Sequence, residues 1–359
     1  MRSSLSPLAP SVSQSWLLPL GFVVRLTDPI IREGPQLQLH YVAFDSFGVK
    51  SMCVRVETPD ITVTIDPGAA LEANSFPLPI EKRNDLLNQY QDAVHESCAK
   101  SQAVVISHYH LDHLQSAREV DMYGGKTLLA RDPAIMSAKQ GETATRFFKT
   151  IDGLPKETLW ADGRKFKFRK TAIEFSQAVW HGARDAEPGT VIMTAVNRGK
   201  EKVLITSDVG GPLEVATTDL ICSAKAQTVV LDGYPTYHLG QFATDYDLVR
   251  SIVNLCRILA ASGLKTLVAD HHLCRDYRYP TFFKLVYDKA KQLKKQFGTA
   301  AEVMGKTSAV LEGYQNYGPT RWHKWFPLEA PDARAVLERA VAEGKLDKDW
   351  PELFDRWVA

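Results

Sequence analysis

The most constraining feature of this sequence is a group of histidine and aspartate side chains placed directly after a buried-strand pattern. The apolar run Val104–Ile106 leads, after one serine, into His108, His110, Asp112 and His113. Neutral imidazoles and carboxylates are the ligands that zinc and similar divalent ions take in proteins. Because these groups alternate along a short loop at the end of a strand, the segment predicts a metal site rather than structural histidines.

Later predicted strands end in the same residue types. His181, Asp208 and the pair His271 and His272 each follow a β-rich run. In α/β proteins the carboxyl ends of strands commonly gather at one edge, where sites are assembled from distant parts of the sequence. We therefore expect these residues to join the first group.

The chain alternates short β-rich runs with helical patterns from Leu37 onward, and the helical patterns include Leu114–Tyr123 and Tyr279–Gln296. Two strand-rich halves fit either an open doubly wound sheet or two sheets packed face to face with helices outside. Periodicity alone leaves both open.

Three segments are predicted from these patterns. An N-terminal arm covers residues 1–36, the main domain covers residues 37–317, and a helical extension covers residues 318–359. The aromatic segment Trp322–Phe326 in the extension could cover the site or form a contact with a second subunit, giving a homo-oligomer.

The amino-acid composition restricts which partners and which cellular compartment are expected. Lys and Arg number 43 against 42 Asp and Glu, so there is no global basic field, although a local nucleic-acid patch remains open. The 5 cysteines lack C-x-x-C spacing, which favours a reducing compartment. No apolar run approaches the roughly 20 residues of a membrane span. Met1–Leu26 only loosely resembles a targeting peptide, so a cytoplasmic protein is expected.

The order of the motifs resembles a known superfamily. Ile65-Asp66-Pro67-Gly68, the H-x-H-x-D-H of residues 108–113, His181, Asp208 and the late histidine pair resemble the five motifs of the metallo-β-lactamase superfamily. More narrowly, the segments 44–48, 207–212, 232–237 and 270–276 resemble an uncharacterised, largely archaeal family of predicted metallo-β-lactamase-fold hydrolases, over about residues 37–314. The resemblance implies a four-layer αββα sandwich, of mixed α/β class, with an appended C-terminal helical element.

The resemblance also implies two divalent metal ions, zinc by preference and Mn²⁺ or Fe²⁺ as alternatives. The ligands that it implies are His108, His110 and His181 for one ion, Asp112, His113 and His271 or His272 for the other, and Asp208 as the bridge. His271 is preferred, but one step of register would select His272. Asp66 and Asp270 are expected to support the ligands through hydrogen bonds, although Asp-Pro-Gly is also ordinary turn chemistry.

Two bridged ions predict hydrolysis, because they lower the pKa of a shared water and polarise the bond that the resulting hydroxide attacks. Asp112 could orient that hydroxide while it binds the metal, and Asp208 is counted as catalytic because it would bridge the two ions. His238 is the candidate acid for the leaving group, with Tyr234 or Tyr237 as alternatives. Arg275 could hold an anionic part of the substrate. Tyr237 could do the same if it does not serve as the acid.

The expected substrate is a small molecule or nucleotide, and a phosphodiester or nucleic acid is favoured by Asp208, His238 and Arg275. The alternatives are a small ester, thioester or lactone, because one fold and one metal site support all these hydrolyses. An iron-dependent oxygenase and a non-catalytic metal-binding scaffold represent other classes.

Overall fold

The computed structural model describes residues 36–115, 119–136, 138–321 and 332–358. Residues 1–35 of the predicted N-terminal arm and the aromatic segment Trp322–Phe326 lie outside these ranges. Among the residues described, no helix combines the length and the hydrophobicity that crossing a membrane requires.

The first sheet is formed by the N-terminal half of the domain. Its strands, which lie in chain order across the sheet, are β1 (Gln38–Phe44), β2 (Met52–Glu57), β3 (Thr62–Ile65), β4 (Ala103–Ile106), β5 (Thr127–Ala130) and β6 (Glu157–Trp160). The first three strands are antiparallel, and β3 to β6 are parallel. All four residues of β4 are buried, as expected for a parallel strand covered on both faces.

The second half of the domain supplies the remaining strands. They are β7 (Lys165–Phe168), β8 (Thr171–Phe175), β9 (Val179–Trp180), β10 (Thr190–Val191), β11 (Thr194–Arg198), β12 (Glu201–Ile205), β13 (Thr228–Asp232), β14 (Thr266–Asp270) and β15 (Gln296–Gly298). The short strands β9 and β10 pair only with each other, and the others form one sheet in the order β15-β14-β13-β12-β11-β8-β7. Strands β12 to β15 are parallel.

Helices connect the strands and cover the outer faces. They are α1 (Ile80–Ala99), α2 (Ala138–Thr150), α3 (Val215–Ser223), α4 (Asp245–Ala260), α5 (Tyr279–Phe282), α6 (Lys284–Gln292), α7 (Ala300–Val303), α8 (Ala309–Tyr317), α9 (Ala333–Ala342) and α10 (Trp350–Trp357). Helices α1 and α2 pack on the first sheet, and α3, α4 and α6 pack on the second.

The two sheets stack face to face. On β4, Val105 packs against the second sheet, whereas Val104 and Ile106 pack against α1 and α2, because neighbouring side chains of a strand point to opposite faces. Val203 and Val230 of the second sheet belong to the same inter-sheet core as Val105. This arrangement confirms the four-layer αββα sandwich and excludes the open doubly wound sheet.

Two helix predictions were wrong. In the described part of Leu114–Tyr123 there is only a single 3₁₀ turn, Val120–Tyr123, because the Tyr123 hydroxyl bonds to both the backbone N–H and the C=O of Gln115 in place of helical partners. The helix predicted over Tyr279–Gln296 is broken at Phe283 and ends at Gln292. Gln296 instead begins β15, since pairing with the exposed edge of β14 overrides the local helical pattern.

The C-terminal helices pack on the domain. Leu337 of α9 and Trp350 of α10 share a buried cluster with Val249 and Val253 of α4. Helix α9 lies within the helical extension predicted over 318–359, and its apolar side faces α4.

Candidate metal centre

The carboxylate of Asp208 lies at the centre of the histidine group. Its Oδ2 is 3.1 Å from His181 Nε2, 3.7 Å from His108 Nε2 and 3.6 Å from His271 Nε2. Its Oδ1 is 3.1 Å from His113 Nε2. One carboxylate thus faces histidines from both of the ligand groups that the sequence predicts.

Two of the groups whose ligand atoms lie within 4.8 Å of one another correspond to the predicted ligand sets. The first set is His108, His110, His181 and Asp208, and the second is Asp112, His113 and His271. Each set combines side chains from different strand ends, because the loops after β4, β9, β12 and β14 meet at one edge of the sandwich.

The neighbouring histidines His271 and His272 have different surroundings. His271 Nε2 lies 3.4 Å from His113 Nε2 and 3.6 Å from Asp112 Oδ2. His272 also lies within reach of Asp208, but its Nδ1 is 3.2 Å from Asp232 Oδ2. The geometry brings His271 to the second set and places His272 beside it.

Two buried atoms show that the donor set fits a cation. Among the described residues, His108 Nε2 has no hydrogen-bond partner, and Asp208 Oδ1 has only the charged contact with His113 Nε2 at 3.1 Å. Buried polar atoms are otherwise nearly always satisfied. A divalent ion bound by these residues would satisfy both.

Four of the candidate ligand histidines fall into two groups, one with a raised pKa and one with a lowered pKa. Burial alone would lower the pKa of His113 and His271, but the surrounding carboxylates raise the first well above its ordinary value and the second to about 10. Burial lowers the pKa of His110 to about 4 and that of His108 well below its ordinary value. Protons on His113 and His271 therefore balance the carboxylates, and a bound cation would displace those protons.

Asp66 connects three strand ends behind the ligands. Its carboxylate accepts hydrogen bonds from Ser107 N at 2.8 Å, Ser107 Oγ at 2.7 Å and Ser207 Oγ at 2.9 Å, and it lies 3.2 Å from His113 Nδ1. The structure thus places Asp66 behind His113, where the sequence predicts a supporting residue. The two serines were not predicted.

His271 is oriented by a residue that sequence reasoning missed. Asp45 Oδ1 lies 2.8 Å from His271 Nδ1, and Asp45 Oδ2 accepts a 2.6 Å hydrogen bond from Arg275 Nε. Asp270 instead accepts backbone N–H groups, including that of His271, and makes no contact with the imidazole in the described structure. The only sequence signal for Asp45 was its position in the segment 44–48.

Sequence reasoning also missed Asp232, whose only signal was its position in the segment 232–237. Its carboxylate accepts the backbone N–H groups of Val209 and Gly210, which follow Asp208, and faces His272. Burial, with Asp208 nearby, raises the pKa of Asp232 to about 7.

Backbone strain marks three of the strand ends. Asp66, Ser207 and His271 have φ values of 50°, 55° and 52°, in the left-handed region that side chains other than glycine rarely adopt. Each such residue costs roughly 1–3 kcal/mol and persists where the surroundings fix it, often at functional sites. All three side chains belong to the hydrogen-bond network around the candidate ligands.

The residues predicted to serve the substrate lie beside this centre. Arg275 Nη2 is 3.4 Å from Asp112 Oδ2, and Arg275 Nη1 donates to the Tyr237 hydroxyl at 3.3 Å. His238 packs against Tyr237 and Phe242, and in the described structure it forms no hydrogen bond with the candidate ligands. The structure therefore brings Arg275 to the metal centre but leaves His238 at its side.

Solved structures with a similar backbone include the metallo-beta-lactamase fold protein YhfI of Bacillus subtilis, at 14% identity, a TM-score of 0.43, and coverage of 74% of this chain and 96% of that one. Zn²⁺-bound PqqB of Methylobacterium extorquens gives 12% identity, a TM-score of 0.39, and 69% and 84% coverage. CmlA, a diiron beta-hydroxylase of Streptomyces venezuelae, gives 11% identity, a TM-score of 0.44, and 73% and 52% coverage.

Sequence relatives are much closer, although no family model matches the sequence. The UPF0282 protein of Metallosphaera sedula is 34% identical over 281 residues, covering 77% of this chain and 90% of that protein. The UPF0282 protein of Korarchaeum cryptofilum is 35% identical over 293 residues, covering 81% and 95%. The two stacked sheets, with the candidate ligands gathered at the ends of their strands, have the metallo-β-lactamase fold. The chain therefore belongs to the UPF0282 family.

Proposed function

We propose that this protein is a metal-dependent hydrolase with two divalent ions, zinc by preference, at the centre around Asp208. The observation that supports this proposal is the position of the Asp208 carboxylate, whose two oxygens face His181 and His113 from different ligand sets. Imidazole and carboxylate donors suit zinc. When bound, such a pair of ions acidifies water and polarises the bond to be cleaved.

The chain's own residues prepare the site for that chemistry. Asp45 and Asp66 fix the imidazoles of His271 and His113 through their Nδ1 atoms, which leaves each Nε2 directed at the centre. Asp112 is 19% exposed, whereas Asp208 is 1% exposed. Solvent and substrate therefore approach from the side of Asp112, whose carboxylate can orient attacking water by accepting its hydrogen bond.

The favoured substrate class is a phosphodiester, in a nucleotide or a nucleic acid. The support is Arg275, a cation 3.4 Å from Asp112 on the exposed side of the centre. A phosphodiester carries a negative charge that a guanidinium group binds well. A small uncharged ester or lactone would make no use of this cation.

The test combines metal analysis with turnover. Protein purified without added metal would be analysed for its elements and assayed with bis-p-nitrophenyl phosphate and p-nitrophenyl acetate. We expect about two zinc ions per chain and phosphodiester turnover that Asp208→Ala abolishes. The control is Asp219→Ala, which removes a half-exposed carboxylate paired with Arg257 on the surface and should keep full activity.

Other results would overturn this proposal in identifiable ways. Zinc with turnover of the acetate ester alone would show an acyl hydrolase. Iron with consumption of dioxygen would show an oxygenase. Bound metal with no turnover of either substrate would point to a metal-binding scaffold.

A further inference from the structure

A cavity of about 260 Å³ adjoins the metal centre on the side of Arg275. Besides Arg275, its lining includes Lys50, Glu72, Tyr237 and His238. Arg275 is shared between the two sites, because its guanidinium group also contacts Asp112. A molecule bound at the metal centre could therefore extend a second group into this cavity.

Glu72 is the unusual residue of the cavity wall. Its side chain is 3% exposed, and neither carboxyl oxygen has a hydrogen-bond partner in the described structure. A buried polar group without a partner is costly, so each such group calls for an explanation. An incoming ligand that bonds to the carboxyl group would provide one.

The backbone around Glu72 is firmly held. Arg83 Nη1 donates to the Glu72 carbonyl oxygen at 2.7 Å, and Lys50 and Ala70 exchange two backbone hydrogen bonds at 2.9 and 3.0 Å. The carboxyl group and the Lys50 ammonium group thus come from adjacent paired segments. Their place in the cavity wall is set by the fold.

The charges around Glu72 favour a neutral carboxyl group. Burial and, to a smaller extent, the nearby Asp45 carboxylate raise the pKa of Glu72 to about 8, against the opposing effect of Arg275, Lys50 and His271. Burial and Arg275 lower the pKa of His238, so this imidazole adds no positive charge at neutral pH.

The remaining net charge of the cavity is positive. Arg275 is already paired with Asp45 and Asp112. Lys50 forms no ion pair with any described residue, and a protonated Glu72 does not neutralise it. A cationic ligand would be repelled here, and an anionic one attracted.

We propose, on the basis of the hydrolase function above, that this cavity binds an anionic oxygen group of the substrate, held by Lys50 and by a hydrogen bond from the neutral Glu72 carboxyl group. The anionic group is a tetrahedral oxyanion such as a phosphate, or a carboxylate. It is distinct from the bond that is cleaved, because it contacts Lys50 and Glu72 rather than the metal ligands. This cavity is then the part of the site that selects the substrate.

Binding of the anion is linked to protonation of Glu72. When Glu72 loses its proton, a hydrogen-bond donor becomes a negative charge beside the ligand. The affinity for the anion should therefore fall as the pH rises through about 8. A glutamine at this position would keep a neutral donor at every pH.

The test is calorimetric titration of the full chain, with its metal content verified, against sodium sulfate and sodium acetate between pH 6.5 and 9. Both probes keep the same charge over this range. Lys50→Met should weaken binding at pH 7 by about tenfold or more, as expected for a lost charge-assisted bond. Lys284→Met, on an exposed turn of α6, is the matched control and should leave binding unchanged.

Glu72→Gln provides the second arm. Wild-type protein should lose about tenfold in sulfate affinity between pH 7 and 9, and Glu72→Gln should stay nearly constant. Equal binding by wild type and Lys50→Met, or the same pH dependence in Glu72→Gln and wild type, would overturn the proposal. Circular dichroism would establish that each variant is folded.

The two probes separate the sources of the anionic group, since tighter sulfate binding indicates a phosphate and tighter acetate binding a carboxylate. The experiment also separates this proposal from the proposed function. Lys50-dependent binding without any Asp208-dependent turnover would support the anion-binding cavity and overturn the proposed hydrolase function. Asp208-dependent turnover without Lys50-dependent binding would support the hydrolase function and overturn the anion-binding cavity.

Discussion

The imidazole Nδ1 of His271 lies 2.8 Å from Oδ1 of Asp45, although 226 positions separate the two residues in the chain. Asp45 follows the first strand of one sheet, and His271 follows β14 of the other. The hydrogen bond therefore joins the two sheets at the metal centre. It also directs His271 Nε2 toward Asp208 and Asp112.

Asp45→Asn should weaken the binding of one metal ion by about 10- to 100-fold, because a ligand loses the carboxylate that orients it. Competition with a chromophoric chelator would measure the affinity for each ion. The ion held by His108, His110 and His181 should be unaffected. Asp219→Asn is the control, and equal affinities in Asp45→Asn and wild type would contradict the assigned role of Asp45.

Removal of the metal should destabilise the fold. Ions that bind only the folded state add about 2.7 kcal/mol when their concentration is 100 times Kd. EDTA should therefore lower the Tm of the wild type in differential scanning calorimetry, whereas EDTA already saturated with zinc should not. Asp208→Ala should show little response to EDTA. A response as large as that of the wild type would mean that metal binding does not depend on Asp208.

Gly68→Ala should disrupt the loop that carries His113. A Cβ atom at Gly68 would lie 2.5 Å from the backbone N and C of His113, closer than folded proteins tolerate. We expect a loss of about 1–3 kcal/mol in the free energy of unfolding, together with weaker metal binding. Urea denaturation and metal analysis would measure both.

The matched control for this change is Gly141→Ala in α2, where an added Cβ meets no atom of the described residues within 4 Å. This substitution should stabilise the protein by roughly 0.5–1 kcal/mol through helix propensity. If Gly68→Ala raised the free energy of unfolding as Gly141→Ala does, the result would contradict the close packing of Gly68 on His113.

Glu72 should make stability depend on pH. Its pKa is about 8 in the folded protein against an ordinary value of 4.5, so the folded state binds the extra proton. The resulting stabilisation is complete below about pH 4.5, declines as the pH rises from 4.5 to 8, and is lost above 8. Glu72→Gln removes this dependence.

Urea denaturation at several pH values would compare Glu72→Gln with the wild type. The two should be similar near pH 4.5, and the variant should gain on the wild type by several kcal/mol up to pH 8. Parallel stability curves would show that Glu72 ionises normally in the folded protein.

Leu337→Ala should test how the C-terminal helices contribute to stability. Leu337 is fully buried between α9 and α4, so its truncation should lower the free energy of unfolding by about 2–5 kcal/mol. Leu220→Ala on the exposed side of α3 is the control and should change it by less than about 1 kcal/mol. Melting of α9 and α10 apart from the main transition, seen as two steps by circular dichroism, would show an independent element instead.

Several features follow from the sequence because they depend on neighbours in the chain. The buried strand β4 is followed directly by the candidate ligands His108, His110, Asp112 and His113, so their pattern alone predicts a strand that leads into a metal-binding loop. The positions of His181, Asp208 and His271 after strands follow from local hydrophobic runs in the same way. Parallel strands then bring their carboxyl ends to one edge.

Other features depend on contacts between distant segments. Nothing near Asp45 or Asp232 in the sequence indicates which histidine each one faces, because those contacts arise only when the two sheets stack and the loops meet. The same holds for β15, whose residues continue a helical pattern until the edge of β14 offers hydrogen bonds. Local patterns do not encode partners that lie far along the chain.

The amino-acid pattern therefore specifies the types of the candidate ligands, their order and the strand ends that carry them. The packing of the two sheets selects His271 rather than His272 to face Asp112, because the bond from Asp45 to Nδ1 leaves His271 Nε2 directed at Asp112. It also placed an unpartnered Glu72 in a cavity beside Arg275. The physical reason is that spacing fixes which side chains a loop can offer, whereas packing fixes where each of them points.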